Sequence, residues 1–153
     1  MSKQRTKVLA VSSGGGHWVQ LLRLRPAFDG CDVTFATVSA TYRSDLEPGC
    51  AFRTIPDASM WNKFRLALSA LGACWLVLRE RPDVIVSTGA APGYFAVRIG
   101  ALLGVRTIWI DSIANAEQLS LSGRAAGKHV DHWLTQWPHL ATENGPYHYG
   151  SVL

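Results

Sequence analysis

Short apolar runs alternate along the chain with longer segments in which apolar residues recur at helical spacing. The runs predict strands at residues 7–12, 32–38, 51–55, 83–87, 105–110 and 132–135, and the helical spacing covers residues 17–25, 62–80 and 92–103. Strands that alternate with helices in this way are typical of α/β domains. Nearly continuous apolar strands also indicate burial on both faces of a sheet. We therefore expect an α/β fold with a mostly parallel sheet.

The size and composition of the chain indicate one folded domain. A chain of 153 residues fits a single domain over residues 1–153 and leaves no room for two. Because 48% of the residues are hydrophobic and only 17% are charged, a disordered chain is excluded. The three cysteines show no CxxC spacing, which favours a reducing compartment, and no signal-peptide run follows the N-terminus. These features predict a cytoplasmic location.

Basic residues are concentrated in the first half of the chain. The net charge of +4 divides into eleven basic and six acidic residues over 1–81, and four basic and five acidic residues over 82–153. Nucleic-acid binding normally combines basic and aromatic residues on one element, and the only basic cluster here is a short N-terminal run. The charge therefore points to other anionic partners, and no nucleic acid is expected.

A run of three glycines follows the first predicted strand and precedes the first helix. Gly14, Gly15 and Gly16 let the main chain approach a ligand, and the free N–H groups of a helix N-terminus attract anions such as phosphate. The dinucleotide fingerprint is incomplete because Val19 stands where its third glycine belongs. NAD binding is therefore not expected. A phosphate site and a plain tight turn without a ligand both fit this loop.

Two further groups of residues are expected near this loop. His17 comes directly after the glycines and could act as a general base or bind a phosphate, although a solvent-facing histidine fits as well. A second loop of small residues follows the fourth strand and includes Ser87, Thr88 and Gly89. In a doubly wound sheet, loops at the carboxyl ends of neighbouring strands enclose the ligand crevice. The two loops together favour a phosphate-bearing ligand.

Polar residues also follow the fifth strand. Asp111, Ser112, Asn115 and Glu117 emerge at the same edge of the sheet, where they could bind hydroxyl groups or act as acid and base. The same segment is also compatible with the start of a helix capped by Asp111 or Ser112. Histidine and aspartate residues near the sixth strand lack a recognised metal-ligand spacing, so no metal site is expected.

The longest predicted helix contains an uncharged apolar segment. Residues 66–78 hold no charge over thirteen positions, which is too short to span a bilayer. Basic residues stand on both sides of this segment, namely Lys63, Arg65, Arg79 and Arg81. The segment is therefore either a helix buried against the sheet or an apolar surface that lies on anionic lipid.

Four segments of the chain together resemble one enzyme family. They are Ser-Gly-Gly-Gly-His at 13–17, Ser-Thr-Gly-Ala-Ala-Pro-Gly at 87–93, the segment 111–124, and Thr-Gln-Trp-Pro at 135–138. The combination is similar to the acceptor-side, membrane-associating subunits of split GT-B glycosyltransferases, which occur in bacterial exopolysaccharide synthesis and in the eukaryotic dolichol pathway. The resemblance extends over nearly the whole chain and includes the N-terminal half of the related single-chain enzyme MurG.

This resemblance implies a Rossmann-like, doubly wound α/β domain that forms the N-terminal half of a GT-B fold. The donor-binding half would be a separate chain, and the donor would be a nucleotide sugar, with UDP as its nucleotide. The reaction would transfer the sugar to a lipid-linked glycan on a polyprenyl diphosphate, without a metal or a further cofactor. The chain would be inactive without its partner and would associate peripherally with the inner face of the cytoplasmic membrane.

The residue patterns and the resemblance together give a set of candidate site residues. The catalytic candidates are His17, Asp111 and Glu117. The residues expected to bind the acceptor or its phosphates are Gly14, Gly15, Gly16, Ser87, Thr88, Gly89, Ser112 and Asn115. The expected membrane-facing residues are Leu66, Leu71, Trp75 and Leu78, with Lys63, Arg65 and Arg79.

Two other functions also fit parts of the sequence. A non-catalytic adaptor would use the same apolar segment to hold a catalytic subunit at the membrane. The other is a free-standing nucleotide-sugar enzyme, such as an epimerase. It conflicts with the missing fingerprint glycine and with the missing acidic residue after the second strand.

Overall fold

Six strands form one parallel sheet in the computed structural model, which describes residues 4–152. The strands are β1 (Lys7–Ser12), β2 (Asp32–Thr37), β3 (Ala51–Thr54), β4 (Val84–Gly89), β5 (Arg106–Ile110) and β6 (His132–Leu134). Their order across the sheet is β3-β2-β1-β4-β5-β6, and every neighbouring pair is parallel. The predicted α/β fold with a parallel sheet is confirmed.

Helices cover both faces of the sheet. They are α1 (Gly16–Arg23), α2 (Lys63–Glu80), α3 (Ala91–Leu102) and α4 (Leu121–Ala126), with 3-10 turns at Arg25–Phe28, Ala40–Asp45 and Pro138–Leu140. Alternate residues of β1 point into two separate cores. Leu9 and Val11 belong to the core that contains α2 and α3, whereas Ala10 packs in the core that contains Trp18 of α1. Burial on both faces explains why these strands form continuous apolar runs.

Helix α2 is fixed to the sheet along one face. Its buried residues recur at helical spacing and are Ser69, Ala73, Leu76 and Val77. The side-chain oxygen of Asn62 accepts the N–H groups of Phe64 and Arg65 at 3.1 Å each, so Asn62 caps the helix. The helix predicted over residues 62–80 is therefore confirmed, and only one of its faces is buried.

The order of the strands reverses between β1 and β4. Val8 of β1 lies beside Val33 of β2 on one side and beside Val84 of β4 on the other. The connections that leave the carboxyl ends of β1 and β4 therefore run to opposite sides of the sheet, which opens a crevice between them. The glycine-rich loop after β1 and the N-terminus of α3 after β4 border this crevice.

Two predicted boundaries are corrected by the structure. The fourth strand was predicted to end at Ser87 but runs on to Gly89, so Thr88 and Gly89 belong to the sheet and not to the following loop. The first helix ends at Arg23, and Pro26 lies in a 3-10 turn that follows it. Proline is tolerated there because the first turn of a helix does not need its missing N–H group.

Candidate functional site

His17 lies in the crevice and is held by β4. Its ring Nδ1 lies 2.8 Å from the carbonyl oxygen of Thr88, and the hydroxyl of Thr88 donates to the main-chain oxygen of His17 at 2.7 Å. A carbonyl oxygen can only accept, so Nδ1 carries the proton in this contact. In the neutral ring, Nε2 therefore holds the free lone pair. The ring is half-buried, unlike a histidine that faces solvent.

The end of β4 is shaped around this ring. Gly89 has a φ of 121°, and a Cβ there would meet Nδ1 of His17 at 2.6 Å. Ser87 and Thr88 are fully buried, and the hydroxyl oxygen of Ser87 accepts the N–H of Gly89 at 3.1 Å. The side chains of Ser87 and Thr88, which we expected to contact a phosphate, instead support the wall of the crevice.

A small cavity lies beside His17, and we call it the His17 cavity. Its volume is about 160 Å³, and it is lined by His17, Gly89, Ala90, Ser112, Ala114, Asn115, Ser120 and Ser122. Five of these eight residues carry a hydroxyl, amide or imidazole group. Such groups suit a ligand rich in oxygen atoms, such as a sugar or a phosphate.

A second cavity contains the glycine-rich loop, and we call it the loop cavity. Its volume is about 560 Å³, and its lining includes Ser13, Gly14, Gly15, Tyr42 and Met60. Ala90 and Ser122 line both this cavity and the His17 cavity, so the two are neighbours. A larger cavity of about 710 Å³ lies at the amino ends of β1 and β2 and contains none of the predicted site residues.

Tyr42 is a site residue that sequence reasoning missed. Its hydroxyl oxygen accepts the N–H of Gly15 at 2.9 Å, and its ring packs against Trp18 with 5.5 Å between centroids. A Cβ on Gly14 would meet the same hydroxyl at 2.6 Å, so this close approach requires glycine. Tyr42 lies in a short 3-10 turn after β2, and the sequence around it contains no motif that indicates a binding site.

Asp111 is buried, and its carboxyl oxygens are occupied by other parts of the chain. Oδ1 accepts the indole N–H of Trp109 at 3.1 Å and the hydroxyl of Ser120 at 2.5 Å. Oδ2 accepts the main-chain N–H of Ser120 at 2.9 Å and the amide of Asn115 at 3.5 Å. Only 2% of Asp111 is exposed. Asp111 therefore holds the segment between β5 and α4 in place.

The helix expected after the fifth strand starts later than predicted. It begins at Leu121 and is capped by Ser120, whose hydroxyl oxygen accepts the N–H of Gly123 at 2.8 Å. Neither Asp111 nor Ser112 caps this helix, which corrects the expected alternative. Asp111 instead accepts hydrogen bonds from Ser120, the residue that caps the helix.

Replacing Asp111 with asparagine should lower the free energy of unfolding by about 2–3 kcal/mol, because one of its two acceptor oxygens becomes an NH₂ group that faces donors. Urea unfolding of the purified chain measures this change. The same substitution at the exposed Asp29 is the control and should leave the stability nearly unchanged. An Asp111→Asn variant as stable as the wild type would show that these hydrogen bonds contribute little.

The other predicted residues of this segment are separated by the structure. Ser112 and Asn115 line the His17 cavity, whereas Glu117 is exposed and lines neither cavity of the crevice. The crevice therefore brings His17, Ser112 and Asn115 together without Glu117. Within residues 4–152, no group of three or more histidine, cysteine, aspartate or glutamate side chains is arranged to hold a metal ion.

The outer face of α2 carries an apolar stripe. We define the α2 stripe as the exposed residues Phe64, Leu68, Leu71, Trp75 and Leu78 of this helix, together with the exposed Met60 and Trp61 in the turn that precedes it. From Phe64 onward its members recur at steps of four and three, which places them on one side of the helix. Of the predicted membrane-facing residues, Leu71, Trp75 and Leu78 belong to this stripe, whereas Leu66 is half-buried.

Basic residues border the α2 stripe. Lys63, Arg65 and Arg79 are exposed, and the guanidinium of Arg79 lies 5.1 Å from the centroid of the Trp75 ring. No helix within the described part of the chain has the length and apolar character needed to cross a bilayer. Met60 also lines the loop cavity, so the stripe begins at the crevice itself.

Solved structures with the same fold include MurG and several UDP-GlcNAc 2-epimerases. MurG of Acinetobacter baumannii superposes with a TM-score of 0.76 at 12% identity, covering 97% of this chain and 46% of the MurG chain. The UDP-GlcNAc 2-epimerase of Methanocaldococcus jannaschii has a TM-score of 0.67 at 11% identity, covering 91% of this chain and 40% of the epimerase. This chain thus spans less than half of either protein. These likenesses confirm a Rossmann-like domain of the GT-B type.

Sequence comparison shows which family the chain belongs to. The UDP-N-acetylglucosamine transferase subunit alg14 of Schizosaccharomyces pombe is 28% identical, over 89% of this chain and 78% of that protein. The corresponding subunit of Yarrowia lipolytica is 36% identical, over 57% of this chain and 43% of that protein. Residues 41–153 match the family described as oligosaccharide biosynthesis protein Alg14 like. Since that match covers well over half of its residues, the chain belongs to the Alg14-like family, as the four sequence segments indicated.

Proposed function

We propose that this chain is the acceptor-binding subunit of a two-chain glycosyltransferase. The enzyme would move a sugar from a nucleotide sugar to a glycan carried on a polyprenyl diphosphate. The relatives are named UDP-N-acetylglucosamine transferase subunits, which supports UDP-linked N-acetylglucosamine as the donor. The same names call these relatives subunits, which supports a separate chain as the donor-binding half.

The observation that carries this proposal is the order of three surfaces along the crevice. Met60 joins the α2 stripe to the loop cavity, and Ala90 and Ser122 join the loop cavity to the His17 cavity. A sugar on a polyprenyl diphosphate has its parts in the same order, namely an apolar chain, a diphosphate and a sugar. The lipid would lie along the stripe, the diphosphate at the glycine-rich loop, and the reacting sugar beside His17.

His17 is our candidate for the general base. The acceptor hydroxyl gives its proton to Nε2 of His17 while its oxygen forms a bond to the anomeric carbon of the donor. The bond from that carbon to the nucleotide diphosphate breaks, and its electron pair leaves with the nucleotide. The contact from Nδ1 to Thr88 keeps Nε2 free for this step. Asp111 is less suitable as a base because its oxygens already accept four hydrogen bonds.

The α2 stripe supports peripheral attachment to the inner face of the cytoplasmic membrane. An apolar helix face with basic borders binds where lipid headgroups meet acyl chains, and anionic lipids strengthen this binding. Because the stripe begins at the loop cavity, the acceptor would keep its lipid in the bilayer while its diphosphate reaches the glycine-rich loop.

The proposal that two chains form the enzyme is tested by measuring sugar transfer by this chain and by a candidate donor-binding partner, separately and mixed. The partner to choose is a short protein that resembles the donor-binding half of a GT-B enzyme. We expect at least about tenfold more transfer from the mixture, because neither chain alone holds both substrates in register. Full transfer by the 153-residue chain alone would overturn the two-chain proposal. Unchanged turnover after substitutions in the glycine-rich loop would instead favour a non-catalytic adaptor.

A further inference from the structure

A chain of buried amides ends at Ser112 in the His17 cavity. The amide nitrogen of Gln20 in α1 donates to the hydroxyl oxygen of Ser112 at 3.0 Å. The amide nitrogen of Gln136 donates to the side-chain oxygen of Gln20 at 2.7 Å. Exposure is only 4% for Gln20, 4% for Gln136 and 6% for Ser112, so water does not compete for these contacts.

Main-chain groups fix the orientation of both amides. The side-chain oxygen of Gln136 accepts the N–H of Val152 at 2.9 Å, and its nitrogen also donates to the carbonyl oxygen of Asp111 at 3.0 Å. The side-chain oxygen of Gln20 accepts the N–H of Ile113 at 3.1 Å. Main-chain N–H groups only donate and carbonyl oxygens only accept, so turning either amide over would set like groups against each other. The hydrogen bonds therefore run in one direction, from Val152 to Ser112.

This direction determines what Ser112 can offer to a ligand. Its hydroxyl oxygen accepts from Gln20 and also from the N–H of Ala114 at 3.2 Å, which uses both lone pairs. Among residues 4–152, the structure shows no hydrogen bond that this hydroxyl donates. Ser112 lines the His17 cavity, so the cavity is where that proton can find an acceptor.

We propose that Ser112 donates one hydrogen bond to the substrate in the His17 cavity, and that Gln20 and Gln136 are positioning residues that fix the direction of this bond. The proposal rests on the function proposed above. The substrate atom that faces Ser112 must be an oxygen with a free lone pair, either on the sugar or on the phosphate. A ligand without such an oxygen would leave a buried donor unpaired and would bind more weakly.

Kinetics of the two-chain complex test this proposal, with UDP-N-acetylglucosamine as donor and farnesyl diphosphate-linked N-acetylglucosamine as the acceptor probe. Ser112→Ala should raise the KM for the probe about tenfold and change kcat by less than about threefold, because it removes one binding contact. Ser112→Cys keeps the shape of the side chain but has a weaker donor, so its KM should lie between those of the wild type and Ser112→Ala. Gln20→Met tests the positioning residue. Its control is Gln118→Met, which makes the same change at an exposed position between β5 and α4.

A double-mutant cycle separates positioning from a general effect on the fold. If Gln20 acts through Ser112, Gln20→Met raises the KM, and the double variant is no worse than the more affected single variant. Fold-changes that multiply in the double variant would overturn the role of Gln20. An unchanged KM in Ser112→Ala, in a complex that still forms, would overturn the role of Ser112.

Farnesyl diphosphate without a sugar identifies the substrate oxygen when it is used as a competitive inhibitor. If Ser112→Ala weakens its inhibition as much as it raises the KM of the sugar-bearing probe, Ser112 contacts a phosphate oxygen. If inhibition is unchanged, Ser112 contacts the sugar. Either result supports the proposed donor. Absence of transfer by the wild-type complex would refute the proposed function itself, before any variant is compared.

Discussion

Replacing His17 with alanine is expected to lower the kcat of the two-chain complex by about 100- to 1,000-fold. The substitution removes an imidazole ring that lines the His17 cavity, and with it the proposed acceptor for the proton of the attacking hydroxyl. The effect should appear mainly in kcat, because proton transfer takes place in the transition state and not in the bound ground state. Single-turnover kinetics with saturating donor and acceptor measure it directly.

Two further variants separate the base from its structural contact. His17→Asn keeps a side-chain N–H that can donate to the carbonyl of Thr88, but it cannot take up a proton. We expect it to lose activity as severely as His17→Ala while the complex keeps its stability. His129→Ala removes an exposed histidine and is the matched control. Unchanged turnover and acceptor affinity in His17→Asn would exclude His17 from the reaction.

The double substitution Leu71→Glu and Trp75→Glu is expected to weaken binding to anionic vesicles by at least about 100-fold. Each exposed apolar side chain of this size contributes about 1.5–3 kcal/mol when it leaves water, and two such losses multiply in the binding constant. The new carboxylates would also be repelled by anionic headgroups. Flotation with vesicles of phosphatidylglycerol and phosphatidylcholine measures the bound fraction.

Two controls test whether binding depends on the α2 stripe and on the anionic charge of the vesicles. Leu121→Glu changes an exposed leucine outside the α2 stripe and should leave flotation unchanged. Vesicles of phosphatidylcholine alone should bind the wild type less, because Lys63, Arg65 and Arg79 then lack anionic partners. A wild-type chain that does not float with anionic vesicles would refute membrane attachment through α2.

The fold could be predicted from the sequence where burial on both faces of the sheet requires a strand to be apolar. β1 and the first part of β4 are apolar on both sides because helices cover both faces of the sheet, and this pattern is readable without a structure. The last two residues of β4 were missed because Thr88 is polar, although fully buried, and Gly89 has no side chain. The start of helix α4 was misplaced, to Asp111 or Ser112, because its six residues are too few to show helical periodicity.

The candidate site was predictable only in part, because its main contacts join distant parts of the chain. The glycine-rich loop and His17 could be found from their position after a strand. Nothing local to Tyr42 distinguishes it from other polar residues. Gln136 belongs to the segment 135–138 that carried the resemblance, but that segment gave no sign of its contact with Gln20. Gln20 gave one weak signal, since it lies three positions after His17 and so faces the same side of α1. The hydrogen-bond direction at Ser112 follows from three separate elements and cannot be read from any one of them.

The pairing of β1 with β4 also has a consequence for the order in which the molecule is built. The contact of His17 with Thr88 joins residues 71 positions apart, and that of Gln20 with Gln136 joins residues 116 positions apart. Closing loops of this length is slow compared with the local pairing of β1 and β2. The contact of His17 with β4 therefore forms only after residue 88 has been synthesised, and the buried amides are complete only after residue 152. A nascent chain that ends before β6 carries the lining residues of both cavities but not Gln136, which fixes the orientation of Gln20.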